Sequence, residues 1–224
     1  MNFLTNIANR MIWVVVQATL FLLDLVYDND YRRFFVLETI ARIPYVSYLS
    51  VLHLYQSFGR HPSHELMRLH FNQSVNEEYH LQIMESLGGG NLWIDRAFAR
   101  TLGFFYYWIN CLLYLLFPHS GYYLMELVEG HAAKTYDDFL NLNKQKLTDQ
   151  PANKVCKEYY ISAHARMTDV QTEQTDISLY QIFCSIRDDE QFHKKEMQNC
   201  RTFTSLRGYT PGKELKIDKK VKIV

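Results

Sequence analysis

The stretch "RDDEQFHKKEM", residues 187–197, places Glu190 three residues before His193 in a segment without glycine or proline. We expect this segment to be helical, and residues three apart on a helix lie on one face with Cβ atoms about 5–6 Å apart. A carboxylate and an imidazole on one face can bind the same metal ion. An isolated Glu-x-x-His pair is more often part of a solvated charged face, so the rest of the sequence is needed to choose between the two interpretations.

A second pair of the same kind lies in "NEEYH", where Glu77 precedes His80 by three positions. Two helices that each carry such a pair can flank two metal ions, and a di-iron carboxylate bundle adds one glutamate from each of its two remaining core helices. Metal-binding histidines also need a hydrogen-bond partner that fixes the ring. Asn76 and Asp189, each directly before a predicted ligand, are candidates for that role; the alternative is an ordinary exposed polar residue.

Candidates for the two remaining glutamates lie in other predicted helices. Glu38 lies among apolar residues in "FFVLETIARIPY", where burying an unpaired carboxylate is costly unless a metal ion or a salt bridge relieves the cost. The segment "YLMELVEGHAAKTYDDF" offers Glu126 and Glu129, three apart on one face, and the spacing does not choose between them. The order Glu, Glu-x-x-His, Glu, Glu-x-x-His, with one element in each of four long helices, predicts a di-metal site. Carboxylates with only two imidazoles suit iron or manganese better than zinc or copper.

The composition predicts an all-α fold in a single domain spanning residues 1–224. The chain has zero formal net charge, which gives no indication of a nucleic-acid partner, and only nine glycines and five prolines interrupt it. We expect a ferritin-like four-helix bundle with a di-iron core and two additional long helices that form a membrane-facing surface. The predicted long helices cover about residues 5–26, 30–58, 63–88, 92–116, 121–146 and 177–205, with Pro118 and Gly121 ending the fourth and a short helix plus loop at 152–176.

Two apolar stretches raise the question of a membrane. Residues 11–23 carry no charge but are too short to span a bilayer, which takes about 20 apolar residues. Residues 101–125 are long enough, but Asn110 and "FPHSG" interrupt them. Attachment to one leaflet through an apolar, aromatic face is therefore favoured over spanning, and a wholly soluble protein is the third alternative. We expect residues 1–28 to form a membrane-associated helix, and the tail at 207–224 to be frayed or to contact the membrane.

Several motifs together resemble the alternative oxidase family, and its plastid terminal oxidase branch in particular: "YRRFFVLETIARIPY", "SVLHLYQSFG", "NEEYHLQIMESLGG", "VEGHAAKTYDDF", "LYQIFCSIRDDEQFH" and "SLR". The resemblance covers about residues 24 to 207. It implies an interfacial helical protein that oxidises plastoquinol or ubiquinol and reduces dioxygen to water without pumping protons. It also implies two iron ions per chain, held by Glu38, Glu77, His80, Glu129, Glu190 and His193.

The same resemblance assigns roles to three more residues. It implies that Tyr136 lies near the iron ions and takes part in the oxygen chemistry, and that Arg33 and Thr135 line the quinol pocket. Without it, a packed tyrosine, a surface arginine and a helix-face threonine are the simpler interpretations. Mitochondrial members carry three successive glutamates where this chain has "VEGH", and this plastid-like form favours Glu129 as the third ligand.

Other expectations follow from the resemblance and from departures from it. Residues 161–176 match the family poorly, so no role is predicted for them. Because the sequence carries no Arg- and Ser-rich transit peptide, we expect a cyanobacterial or cyanophage-encoded member, or a trimmed mature form, on a thylakoid or cytoplasmic membrane. A homodimer formed through the first helices is a family expectation.

Two other functions were compared with quinol oxidation. One is a di-iron hydroxylase of a quinone pathway, or another ferritin-like oxygenase, against which the length of the matching motifs argues. The other is a non-catalytic helical protein of the membrane surface, or an iron-storage relative, in which the acids are surface charge. Storage needs a soluble cage, which the apolar stretches disfavour.

Overall fold

The computed structural model describes residues 3–28, 30–167 and 176–203, with the side chains in these ranges except those of residues 163–167 and 203. In this part of the chain the secondary structure is eight α-helices, without a β-strand. The predicted all-α fold is therefore confirmed. The helices are α1 (Phe3–Val26), α2 (Tyr31–Ala41), α3 (Ile43–Ser57), α4 (His64–Ser86), α5 (Trp93–Leu116), α6 (Pro118–Asp149), α7 (Lys154–Met167) and α8 (Leu179–Phe203).

The predicted helix at about 30–58 consists of two helices, α2 and α3, which only Arg42 separates. Pro44 lies in the first turn of α3, and because proline has no N–H to donate, the hydrogen-bond ladder of α2 cannot continue through it. The start of α2 is fixed by Asp30, whose carboxylate accepts hydrogen bonds from the backbone N–H groups of Arg32 (2.9 Å) and Arg33 (3.2 Å). This cap sets the helical phase that directs Glu38 inwards.

The predicted end of the fourth long helix at about residue 116 is confirmed, but the next helix begins at residue 118 rather than at about 121. Pro118 is the first residue of α6 and Gly121 lies inside that helix, which continues to Asp149. A proline fits the first turn of a helix because the N–H it lacks would have no partner there. A Cβ at Gly121 would lie 3.1 Å from the Tyr48 hydroxyl and 3.1 Å from the Tyr114 ring, so the glycine allows α6 to pack closely against α3 and α5.

The buried residues form two clusters. One is centred on aromatic rings of α2, α6 and α8, including Phe34, Tyr136 and Phe183. The other is centred on tyrosines of α3, α5 and α6, including Tyr45 and Tyr122. Helix α6 packs along α8, α2 packs on α4 and α5, and α1 lies along α6.

Two helices, α1 and α5, expose rows of large apolar side chains. In α1 these include Phe21, which is 67% exposed, and in α5 they include Trp93 and Trp108, at 69% and 60%. Among the described residues, two helical segments are long and apolar enough to cross a membrane, Phe3–Val26 and Tyr31–Ser57. The second is 61% buried, as a core helix is, whereas the first is only 11% buried. Residues 101–125 do not form one helix, because α5 ends at Leu116.

The remaining predicted segments are partly covered by the described residues. Helix α7 is the short helix expected within 152–176, and α8 agrees with the last predicted helix to within two residues at each end. Residues 168–175 and the tail at 207–224 lie outside the described residues. The four cysteines lie within the described ranges, and none forms a disulfide.

Candidate metal centre

Four helices direct six acidic and histidine side chains into the interior. Glu38 comes from α2, Glu77 and His80 from α4, Glu129 from α6, and Glu190 and His193 from α8. Each is at most 3% exposed. Their ligand atoms form two groups, in each of which all atoms lie within 4.8 Å of one another; the groups are Glu38, Glu77, His80 and Glu190, and Glu77, Glu129, Glu190 and His193. Glu77 and Glu190 belong to both groups, as carboxylates between two ions would.

The polar atoms at the centre of this cluster lack hydrogen-bond partners. Both carboxylate oxygens of Glu77 and of Glu190 make no hydrogen bond to any described residue. The Nδ1 atom of His80 lies 2.9 Å from Glu190 Oε1, and that of His193 lies 2.7 Å from Glu77 Oε1, but neither contact has the alignment of a hydrogen bond. Since buried carboxylates without partners are costly, and a bound cation would satisfy these lone pairs, the residues fit a pair of metal ions.

The pKa shifts of these carboxyl groups reflect the same cost of burying negative charges close together. Burial, and then the charge of Glu77, raises the pKa of Glu38 and of Glu190 well above the ordinary value. Burial also disfavours the ionised form of Glu77. The contact with His193 and the charge of that histidine outweigh burial, so the pKa of Glu77 is lowered. Without a cation, protons would have to offset the negative charge of four buried carboxylates.

One side of the cluster is fixed by Asp189, which precedes Glu190 on α8. Its Oδ2 accepts hydrogen bonds from Tyr159 (2.6 Å), from Asn76 (3.0 Å) and from His80 Nε2 (3.2 Å). Burial would raise the pKa of Asp189, but the hydrogen bond and charge of His80 outweigh burial and lower it to about 2. With Nε2 held by Asp189, the Nδ1 atom of His80 faces the carboxylates, as the orientation of a metal ligand requires.

Two buried tyrosines donate hydrogen bonds to the cluster. The Tyr136 hydroxyl donates to Glu38 Oε1, and its ring stacks on Phe34 with a centroid separation of 4.3 Å. The Tyr45 hydroxyl donates to Glu129 Oε1 at 2.6 Å. Burial, and then the charge of the neighbouring glutamate, raises the pKa of both tyrosines well above the ordinary value, so both are neutral donors.

The structure also separates the two glutamates of α6 that the spacing left undecided. Glu129 is fully buried in the cluster, whereas Glu126 accepts a hydrogen bond from Gln198 (2.9 Å) and pairs with Arg201 (2.9 Å). The two side chains therefore do not share one site. This placement agrees with the third ligand that the "VEGH" motif favours.

A cleft of about 170 Å³ opens between α1, α2 and α6. Arg33 is only 8% exposed and donates to Asp24 at 2.6 Å, so it is not the surface arginine of the simpler interpretation. Its guanidinium also lies 3.4 Å from His131 Nε2, and the Thr135 hydroxyl lies 3.2 Å from the same nitrogen. Arg33 and Thr135 thus share one cleft. The other lining residues are Asp24, His131, Lys134 and Asp138.

Several residues that contact the site were not predicted, among them Tyr45, Tyr159, Asp24 and His131. Tyr159 lies in the stretch 152–176, for which only a short helix plus loop was predicted. The sequence signal for Tyr45 is only its position seven residues after Glu38, which places it two turns further along the chain. For Tyr45 and His131 the tertiary partner is distant in sequence, 84 and 98 residues away.

The described residues are all-helical and bring together two overlapping groups of buried glutamates and histidines, which places the chain in the class of helical proteins with a carboxylate-rich cluster that could hold metal ions. A model of the family described as "Alternative oxidase" matches residues 4–202, and the chain belongs to this family. The predicted resemblance is therefore confirmed.

Individual relatives agree with the plastid-like character of the motifs. A protein named "Ubiquinol oxidase 4, chloroplastic/chromoplastic" from Arabidopsis thaliana is 42% identical over 202 residues, which cover 86% of this chain and 58% of the relative. The mitochondrial ubiquinol oxidase 1a of Oryza sativa subsp. japonica is 25% identical over 170 residues, covering 75% and 51%. The chain thus spans a little over half the length of these relatives. No solved structure matches the chain.

Proposed function

We propose that this protein is a terminal quinol oxidase, which oxidises plastoquinol or ubiquinol and reduces dioxygen to water without pumping protons. The observation that carries the proposal is the pair of overlapping Glu/His groups that share Glu77 and Glu190. The reaction consumes two quinols per dioxygen, because each quinol supplies two electrons and two protons and the reduction to two waters takes four of each. The printed names of the relatives, which are ubiquinol oxidases, support this activity.

The metal-binding part of the proposal assigns one iron ion to each group. The first would be held by Glu38, Glu77, His80 and Glu190, and the second by Glu77, Glu129, Glu190 and His193. When bound, two such ions supply redox equivalents and a place for dioxygen. The oxygen-rich donor set with two imidazoles supports iron over zinc or copper.

The residues of the chain orient this centre and hold its protons. Asp189 accepts from His80, Asn76 and Tyr159, and so fixes the ring that presents Nδ1 to the carboxylates. Tyr136 holds a proton on its hydroxyl and donates it in a hydrogen bond to Glu38. We assign Tyr136 the role of a residue that transiently supplies an electron and a proton to the oxygen chemistry, both of which quinol oxidation then restores, so that two quinols still account for all four electrons.

We place the quinol headgroup in the cleft of Arg33 and Thr135. The guanidinium and the threonine hydroxyl can hydrogen-bond to the quinol oxygens. Thr135 directly precedes Tyr136, so the cleft lies one residue from the tyrosine that contacts Glu38. This arrangement connects the quinol site to the first metal position over a short path within α2 and α6.

The proposed membrane attachment rests on the exposed apolar rows of α1 and α5. Tryptophans at such a face prefer the interface between lipid and water. The protein would lie on one leaflet of a thylakoid or cytoplasmic membrane, and the isoprenoid tail of the quinol would reach the cleft from the lipid. A homodimer through α1, with further apolar surface buried between the subunits, is part of the same proposal.

Oxygen consumption by the purified, iron-loaded protein tests the proposal. We expect uptake with short-chain plastoquinol or ubiquinol analogues, insensitive to cyanide, with two quinols consumed per dioxygen. Consumption of one quinol per dioxygen with hydroxylated quinone as the product would favour the hydroxylase alternative. Fewer than one iron per properly loaded chain, without quinol-dependent uptake, would refute the oxidase function.

A further inference from the structure

Tyr45 on α3 is a fully buried residue whose only described hydrogen bond goes to the candidate metal centre. Its hydroxyl donates to Glu129 Oε1 at 2.6 Å, and its ring packs edge-on against His193, with centroids 5.8 Å apart. Glu129 and His193 are the two side chains that belong to the second metal position alone. Among the described contacts, Tyr45 makes neither a hydrogen bond nor a ring contact with Glu38 or His80, the side chains of the first position alone.

The hydroxyl of Tyr45 distinguishes the two oxygens of Glu129. Oε1 accepts from Tyr45, whereas Oε2 is buried without a hydrogen bond to any described residue. In this arrangement Oε1 stays hydrogen-bonded to Tyr45, and Oε2 is the oxygen that remains for a metal ion. The first position has the matching arrangement, because Tyr136 donates to Glu38 Oε1 and Glu38 Oε2 lacks a partner.

We propose that Tyr45 is a positioning residue for the second metal position, which acts by fixing Glu129 as a ligand through one oxygen and by orienting the ring of His193. The inference rests on the proposed di-iron centre and adds a tyrosine that supports one of its two halves. Partners that orient metal ligands in this way typically change metal affinity by about 10- to 100-fold when they are removed. Loss of the hydroxyl should therefore weaken one of two binding events.

Tyr45→Phe removes this hydroxyl and retains the ring. The matched control is Tyr48→Phe, on the same helix and equally buried, whose hydroxyl donates to the backbone carbonyl of Gly121 at 2.7 Å. Each iron-free protein is titrated with Co²⁺, followed by visible absorption and by competition with a chelator. We expect two equivalents in the wild type and in Tyr48→Phe. In Tyr45→Phe, one equivalent should be retained and the other weakened by about 10- to 100-fold, with an altered cobalt spectrum.

The outcomes separate this inference from the proposed function. If Tyr45→Phe binds both equivalents as the wild type does, or if Tyr48→Phe loses as much affinity, Tyr45 has no positioning role. If the wild type itself binds fewer than two equivalents, the di-metal centre is wrong and the inference fails with it.

A second measurement keeps the hydroxyl and so does not depend on the folding of the Phe variant. 3-Fluorotyrosine is incorporated at position 45 or, as a control, at position 48, and its ¹⁹F resonance is followed while diamagnetic Zn²⁺ is added. The resonance at position 45 should shift as one of the two equivalents binds, and that at position 48 should not. An unmoved resonance at position 45 in the fully loaded protein would overturn the proposal.

Discussion

His70 provides a prediction about acid stability that involves no metal ion. This histidine on α4 is fully buried and lies 3.1 Å from the Tyr122 hydroxyl and 3.4 Å from Gln73 Oε1. The rings of Tyr45 and Tyr48 pack against it. Burial lowers the pKa of His70 from 6.5 to about 4, because a charged imidazole is poorly solvated among these rings.

The sign of the effect follows from this lowered pKa. Above pH 6.5 the imidazole is neutral in the folded and unfolded chains, and its contribution to the free energy of unfolding is constant. As the pH falls from 6.5 towards 4, the unfolded chain gains a proton that the folded chain does not take up, so stability is lost. At about 1.4 kcal/mol per pKa unit, lowering the pH to about 5 costs about 2 kcal/mol.

The substitution His70→Gln removes the titrating group and retains a polar side chain that can reach Tyr122. At pH 7.5 we expect the variant to be less stable than the wild type by about 1 kcal/mol, since one hydrogen bond is changed. Between about pH 7.5 and 5 this difference should vanish or reverse, because only the wild type suffers the loss of about 2 kcal/mol. Urea unfolding of the iron-free proteins, followed by circular dichroism at several pH values, measures the difference directly.

The control is Tyr122→Phe, which removes the hydroxyl partner and keeps the histidine. It should lower stability at all pH values and retain the loss in acid. A difference between wild type and His70→Gln that stays constant from pH 7.5 to 5 would refute the reasoning, since it would mean that His70 takes up its proton equally in both states.

Three further predictions concern the proposed oxidase. Glu190→Ala removes a carboxylate shared by both metal positions, so iron content and quinol-dependent oxygen uptake should collapse while helical content, measured by circular dichroism, is retained; retained uptake would contradict the ligand assignment. Arg33→Ala should raise KM for the quinol at least tenfold and keep the iron, and loss of iron would contradict a pocket role. Asp189→Asn should weaken metal binding by about 10- to 100-fold in chelator competition, and unchanged affinity would show that it does not orient His80.

Most side chains of the buried Glu/His cluster could be proposed from the sequence because they have a local signature. A Glu-x-x-His pair is defined by helical spacing alone, and Glu38 is conspicuous as a charge among apolar neighbours. The helix boundaries were less predictable. Pro118 ends one helix and begins the next, and a proline is compatible with either role until the packing of Gly121 against Tyr48 is known.

The surroundings of the ligands could not be predicted in the same way. Tyr159 donates a hydrogen bond to Asp189, which is 30 residues away in the sequence, and Tyr45 donates one to Glu129, which is 84 residues away. A buried tyrosine has the same local pattern whether its hydroxyl meets a backbone carbonyl, as in Tyr48, or a candidate metal ligand, as in Tyr45. The sequence fragments around these two residues do not differ in a way that reveals the partner, because the partner is set by packing between helices.

The two candidate metal positions have similar side chains, but the residues that surround them differ. Behind Glu38, Tyr136 is adjacent to Thr135 and the cleft of Arg33, which opens to the surface between α1 and α6. Behind Glu129, Tyr45 packs against the buried His70, in a cluster of tyrosines. Under the proposed function, electrons from the quinol should therefore arrive on the Glu38 side, and the Glu129 side should serve the metal ion alone. The Arg33 and Tyr45 variants should therefore differ in what they change. Arg33→Ala should change KM for the quinol and keep both metal equivalents, whereas Tyr45→Phe should weaken one of the two metal equivalents and leave KM for the quinol unaltered once both are bound.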